Sequence, residues 1–237
     1  MWMVGLSECG VSFYQIAACT LTQHSRIIYF FMKRPPLLQR LHAHQPGDEH
    51  EARMQQRIIE FVTRHDLFYS RSLSIGHLTG SAWIMDNDYA HALLTHHGKL
   101  NLWVQLGGHV EGDPEMLAAA WREAREESGL ADIRPVFDHI FDLDIHTIPA
   151  NYKEPQHDHY DIRFLFQADR HAELIISSES KNLAWVALEK ISELTQEESV
   201  LRMVRKTERL KLQSEPALRA ENTNTDIKLN SEIHYDL

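Results

Sequence analysis

Cysteine is nearly missing from this chain: only Cys9 and Cys19 occur, both near the N-terminus. Two such residues supply neither a disulfide framework nor a four-thiolate zinc site for the main body. Long apolar runs are missing too. Nothing approaches the ~20 consecutive apolar residues that span a bilayer, so no membrane partner is expected and the cytoplasm is the default compartment. Basic residues are in deficit, with 24 Lys and Arg against 34 Asp and Glu and a formal charge of -10. That balance argues against generic DNA binding, because no cationic surplus neutralises phosphates. It leaves an anionic small molecule admissible, since divalent cations can bridge one to an acidic surface.

What remains is ordinary for a globular protein: 43% hydrophobic and 24% charged residues over 237 positions, enough for one substantial core. Histidine is the exception, with 16 residues that include the close pairs His42 and His44, His96 and His97, and His157 and His159. Such pairs suggest metal, although a solvated surface in a His-rich chain is the simpler explanation.

Four regions can be separated along the chain. Residues 1–31 carry only Glu8 and Arg26 as charges and form an atypical N-terminal extension, either disordered or a mis-called start ahead of Met32. The Ile16-Ala17-Ala18-Cys19 run resembles a lipoprotein processing site but lacks a positive segment before it. Residues 32–70 form a helical preface. Within it Asp48 and Glu51 open a helix over 48–67, whose apolar stripe is Ile58, Ile59, Phe61 and Val62. Residues 71–212 form the main domain, with strands over 75–85, 90–95, 101–106, 134–145, 159–167, 173–177 and 183–188. Helices are expected over 114–128 and 189–210. The polar tail over 213–237 reads as disordered. Strands and helices without a regular βαβ repeat place the chain in the α+β class, with a mixed sheet between helices.

The chemistry concentrates between Gly107 and Leu130. A strand ends in Gly107-Gly108, a loop follows, and a helix begins near Pro114 with Asp113 as the expected N-cap and Gly129 as its stop. At about 100° per residue, Glu123, Glu126 and Glu127 share one arc of that helix. Leu117, Trp121, Ala124 and Ser128 lie opposite, toward the expected core. Three carboxylates on one face repel one another unless cations neutralise them, and hard oxygen ligands select Mg²⁺ or Mn²⁺. Arg122, beside Glu123 and one turn before Glu126, can hold a carboxylate in place.

Taken together, Gly108, Arg122, Glu123, Ala124, Glu126, Glu127, Gly129 and Leu130 resemble the Nudix box in register. One place departs: Pro114 stands where the first box glutamate belongs, and Glu115 falls one residue late. The wider stretch, from Gly76-His77-Leu78-Thr79-Gly80 to Trp103-Val104-Gln105, is similar to bacterial Nudix proteins of undefined substrate. The resemblance covers roughly residues 48–205. It implies a Nudix-type α/β/α sandwich and divalent-metal-dependent hydrolysis of a phosphoanhydride bond in a nucleoside diphosphate linked to another group. Glu123, Glu126 and Glu127 would bind the metal, and one of the three, with Glu123 as the first candidate, would also serve as general base. A homodimer is in keeping with relatives of this kind, and removal of an RNA 5′ end stays open.

Outside the box, His159, Asp161 and Arg163 share one face of a strand whose other face is Tyr160, Ile162, Phe164 and Phe166. The polar face either lines the substrate cleft, with Arg163 on a phosphate, or forms the wet side of an edge strand. His109, beside the Gly-Gly turn, can reach substrate or metal. Glu179 is a candidate extra carboxylate. Three other functions compete. An isopentenyl diphosphate isomerase, also Nudix-like, needs a core cysteine, which is lacking after Cys19. A zinc hydrolase built on His96, His97, His157 and His159 lacks a His-Glu-x-x-His helix. A catalytically silent nucleotide sensor is opposed by the intact glutamates.

Overall fold

The structure, a computed structural model, describes residues 34–98, 101–110, 115–152, 154–177 and 180–213. The expectations for 1–31 and for the tail over 214–237 lie outside the described residues. Helix α1 occupies 34–43 and α2 is Glu49–Arg64. Asp48 caps α2 as expected, its carboxylate accepting from the Glu51 amide at 2.8 Å. The reciprocal half of a capping box does not form. Glu51 is instead fully buried and accepts from the amides of Gly47 (2.5 Å) and Leu143 (3.1 Å), with Lys206 Nζ at 2.5 Å. A carboxylate removed from water needs several donors, and distant elements supply them here.

The sheet comprises β1 (Gly76–Met85), β2 (His91–His97), β3 (Trp103–Val104), β4 (Leu106–His109), β5 (Ile133–Pro135), β6 (Asp142–Ile148), β7 (His157–Ala168) and β8 (Ser180–Ala187). Strand β1 lies centrally and all ten of its residues are buried. It runs parallel to β7 on one side. On the other it pairs antiparallel with β4 in its first half and with β2 at its end. Because side chains alternate across a strand, β1 feeds two cores. Leu78, Ala82 and Ile84 pack with Leu37 and Leu41 of α1, Ile58 and Phe61 of α2, and the box helix α3 (Met116–Ser128). Trp83 and Met85 pack with Ile191 of α4 (Ile191–Leu194) and with Val200, Met203 and Val204 of α5 (198–213). The result is the α+β fold with a mixed sheet between helical layers that the Nudix resemblance implied.

Four boundaries differ from expectation. The strand expected over 101–106 is the short β3 followed by β4, which carries Gly107 and Gly108 within it instead of ending at them. The strand expected over 134–145 is two strands, β5 and β6, which pair with successive stretches of the same margin of β7. The segment 173–177 is no strand. Its Ile175 amide donates to the Ser128 carbonyl at 2.8 Å and so caps the end of α3. The helix expected over 189–210 is interrupted between α4 and α5, where Thr195 is buried.

Candidate active site

Helix α3 starts at Met116, not at Pro114. Glu115 occupies the N-cap position with extended backbone, and its carboxylate pairs with Arg40 of α1 at 2.9 Å rather than capping. Asp113 and Pro114 lie outside the described residues. The C-terminus is as expected: Gly129 adopts φ 71° and its amide donates to the Arg125 carbonyl at 2.9 Å.

The buried side of α3 is Met116, Ala119, Ala120, Ala124 and Ser128, whereas Trp121, expected in the core, is exposed. Gly80 explains the difference. A Cβ there would lie 3.2 Å from the Ala120 amide nitrogen, so the helix rests almost directly on β1. Alanine fits beneath the helix at that separation and an indole does not.

This close seat sets the position of the charged residues. Glu123 and Glu127 flank the alanine stripe and meet the end of β4 residue by residue. The Gly107 amide donates to Glu127 Oε2 at 3.1 Å. Gly108 sits under Glu123 so tightly that a Cβ would fall 2.4 Å from Oε2. The His109 carbonyl accepts from Arg122 Nη2 at 2.8 Å. The other arm of Arg122 bridges two carboxylates, at 2.7 Å to Glu123 and 3.1 Å to Glu126. Partial burial works against the charge of Arg122, but Glu123 and then Glu126 outweigh it and hold the guanidinium more firmly protonated than usual. The glutamate side chains differ in access, with Glu123 15% and Glu126 60% exposed.

The cluster suits a hard divalent cation. Its donors are carboxylate oxygens, one guanidinium offsets only part of their charge, and the missing Cβ at Gly108 leaves the Glu123 carboxylate free to approach the backbone. The family model for the NUDIX domain matches residues 77–206, more than half of the chain. The chain belongs to the Nudix family.

Solved structures of Nudix proteins resemble it at low identity. The Ap4A hydrolase of C. elegans in a binary complex is 18% identical, with a TM-score of 0.45 over 56% of this chain and 96% of that one. A NUDIX-family hydrolase from Clostridium perfringens is 24% identical, with a TM-score of 0.40 over 56% and 97%. The NUDIX domain of Shewanella oneidensis NrtR, complexed with ADP ribose, is 16% identical, with a TM-score of 0.40 over 64% and 97%. Curated proteins yield no significant match.

Two of the remaining expected site residues turn out as follows. Glu179 lies outside the described residues. Arg163 is 2% exposed and donates to Asp161 (2.7 Å), Asp142 (3.3 Å) and Asp144 (3.3 Å). Three carboxylates already occupy its fork, which speaks against a phosphate-binding role. The strand that carries it is not the wet side of an edge either, because β7 is paired along both margins. Asp161 is equally committed, accepting from Thr79, Ser81, Gln105 and Arg163.

Sequence spacing picked out His159 and His109 but missed His77 and His146 beside them. In the strand register His159 stands between His77 on β1 and His146 on β6, and His109 pairs with Thr79 one row away. Burial, followed by the neighbouring His146, His77, His109 and His157, drives the His159 pKa down to about 2. His77 and His159 are 82 positions apart in the chain, and only the β1–β7 register brings them together.

Proposed function

We propose that this protein is a divalent-metal-dependent hydrolase that cleaves a phosphoanhydride bond in a nucleoside diphosphate linked to another group. The observation that carries this reading is the set of contacts between β4 and α3. Gly107, Gly108 and His109 meet Glu127, Glu123 and Arg122 in turn, so strand and helix hold the three carboxylates as one preorganised unit. Glu123, Glu126 and Glu127 would hold Mg²⁺ or Mn²⁺. Such an ion, when bound, neutralises phosphate oxygens, polarises phosphorus and acidifies water.

The protein's own groups then have separable tasks. Glu123, mostly sheltered from solvent and oriented by Arg122, accepts the proton of the attacking water. Arg122 keeps Glu123 and Glu126 together against their mutual repulsion. Gly108 lacks the Cβ that would displace Glu123, so the carboxylate lies directly against the strand end. The substrate is a nucleotide-like small molecule. Nudix proteins with Ap4A-hydrolase activity or bound ADP ribose are consistent with that class.

The test is phosphate release from a panel of nucleoside diphosphate derivatives with Mg²⁺ or Mn²⁺, comparing the wild type with Glu126→Gln. Turnover that needs the metal and falls by about 100-fold or more in the variant is expected. Tight binding of one member with no turnover of any would replace this reading with a nucleotide-binding module.

A further inference from the structure

Apart from the carboxylate site, the described residues hold a second group with the character of metal ligands. His77, His157 and His159 each offer a ring nitrogen, and the three atoms lie within 4.8 Å of one another. The nearest pair, Nε2 of His157 and Nε2 of His159, is 3.3 Å apart. Two imidazoles on one tetrahedral ion, each with a bond of about 2.0–2.1 Å, place their nitrogens about 3.3–3.4 Å apart. That pair already stands at the required spacing, and the third nitrogen, on His77, lies within 4.8 Å of both.

A second, independent observation concerns the tautomer of His157. Its Nδ1 lies 2.9 Å from the Pro155 carbonyl oxygen, and a carbonyl can only accept, so Nδ1 carries the hydrogen. In neutral His157 the lone pair is therefore on Nε2, the atom that faces His159. This backbone carbonyl contact is how proteins fix the tautomer and orientation of a ligating histidine. Two more rings surround the group: His109 is 5.0 Å from His77 and 5.4 Å from His159, and His146 is 5.3 Å from His159.

We propose that His77, His157 and His159 form a binding site for a borderline divalent cation of the zinc type, distinct from the Nudix carboxylates. Three imidazoles select Zn²⁺ and its transition-metal neighbours over Mg²⁺, whereas the carboxylates of α3 have the opposite preference. Three protein ligands leave the fourth tetrahedral place to water. The site adjoins the box, because His109 is the last residue of β4 and follows the Gly107-Gly108 segment directly. Two chemically different metal sites would thus share one strand end. The pair His96 and His97 has no part in it, and His96 stacks on Trp103 instead.

Zinc binding tests this without reference to hydrolysis. The full chain, with any affinity tag removed and metal stripped by chelator, is titrated with Zn²⁺ by calorimetry in millimolar Mg²⁺, and metal content is measured after dialysis. One equivalent of Zn²⁺ is expected, with Co²⁺ substitution giving the intense visible bands of a tetrahedral site. His157→Ala and His159→Gln should each weaken binding by about 100-fold or more, beyond the roughly 10–100-fold typical of outer-shell partners. His157 is buried but stands at the first residue of β7, so His157→Ala keeps the test decisive if His159→Gln, within the strand, fails to fold. Glu126→Gln and Cys9→Ser/Cys19→Ser should leave affinity unchanged. No stoichiometric Zn²⁺, binding that survives His157→Ala, or binding that is lost in the glutamate or cysteine variants would each overturn the proposal.

Discussion

Individual residues in this protein are decided by what lies within a few ångströms, and two adjacent glycines show it. The atoms nearest to a Cβ on Gly108 all belong to the carboxylate of Glu123, at 2.4 to 3.0 Å, and a flexible side-chain end can move aside. A Cβ on Gly107 would meet Ser81 Oγ at 2.2 Å and also backbone, with Ser81 Cα at 2.7 Å and the Gly80 carbonyl oxygen at 2.8 Å, and backbone cannot yield cheaply. The same substitution therefore has different consequences at neighbouring positions. Gly108→Ala should leave the melting temperature nearly unchanged while activity falls by about 100-fold, the scale of an ångström-level misplacement of a catalytic group. Gly107→Ala should lose about 1–3 kcal/mol of stability, the usual cost of overpacking. Parallel melting and rate measurements would check both, and equal losses of stability would contradict the distinction.

At the scale of elements, β7 carries a polar ladder through the middle of the sheet. His159 is neutral in the folded state, with its pKa lowered to about 2 from the ordinary 6.5 by burial and by four neighbouring histidines. In the unfolded chain it binds a proton as pH falls through 6.5, and in the folded chain it does not. The unfolded state then holds more protons, so stability must decline with falling pH. For metal-free protein the contribution is complete above about pH 6.5 and is lost progressively below it, toward about pH 2. Denaturant midpoints measured between pH 7 and pH 4 should fall, and His159→Gln should flatten that slope. A slope unchanged by the substitution would mean that other groups carry the acid sensitivity. The element limits themselves were largely legible. Helix α2 and strands β1, β2 and β7 fall where periodicity and turn residues put them, because their apolar faces meet a core. Segment 173–177 misled because Ile175 and Ile176 are apolar yet exposed, and their stretch serves to cap α3.

For the whole molecule, a buried ionic cluster joins preface, sheet and C-terminal helix. Asp142 of β6 is fully buried and accepts from Arg202 of α5 twice at 2.8 Å, while Arg163 of β7 and Lys206 of α5 stand at 3.3 and 3.0 Å. Burial alone would raise the Asp142 pKa, but Arg202, Arg163 and Lys206 together lower it. Removing one partner from such a cluster leaves an uncompensated buried charge, at a cost of about 3–5 kcal/mol. Arg202→Ala and Arg163→Ala should both show that loss in chemical denaturation. For Arg163 the outcome also bears on function. Intact stability with a raised KM would return it to the substrate-binding role that its sequence position suggested.

Sequence by itself determined the family, the class of fold and the chemical nature of the box. Those features rest on spacing along one helix and one turn, where residues close in the chain are close in space. It also marked the departure at Pro114 and the lack of a core cysteine. Tertiary structure alone decided which side of α3 is buried, since that depends on how closely Gly80 lets the helix sit on β1. It likewise decided that Arg163 faces aspartates and that His77 joins His157 and His159. Strand register sets both of those contacts, and it pairs residues some 80 positions apart, a separation for which local sequence carries no signal.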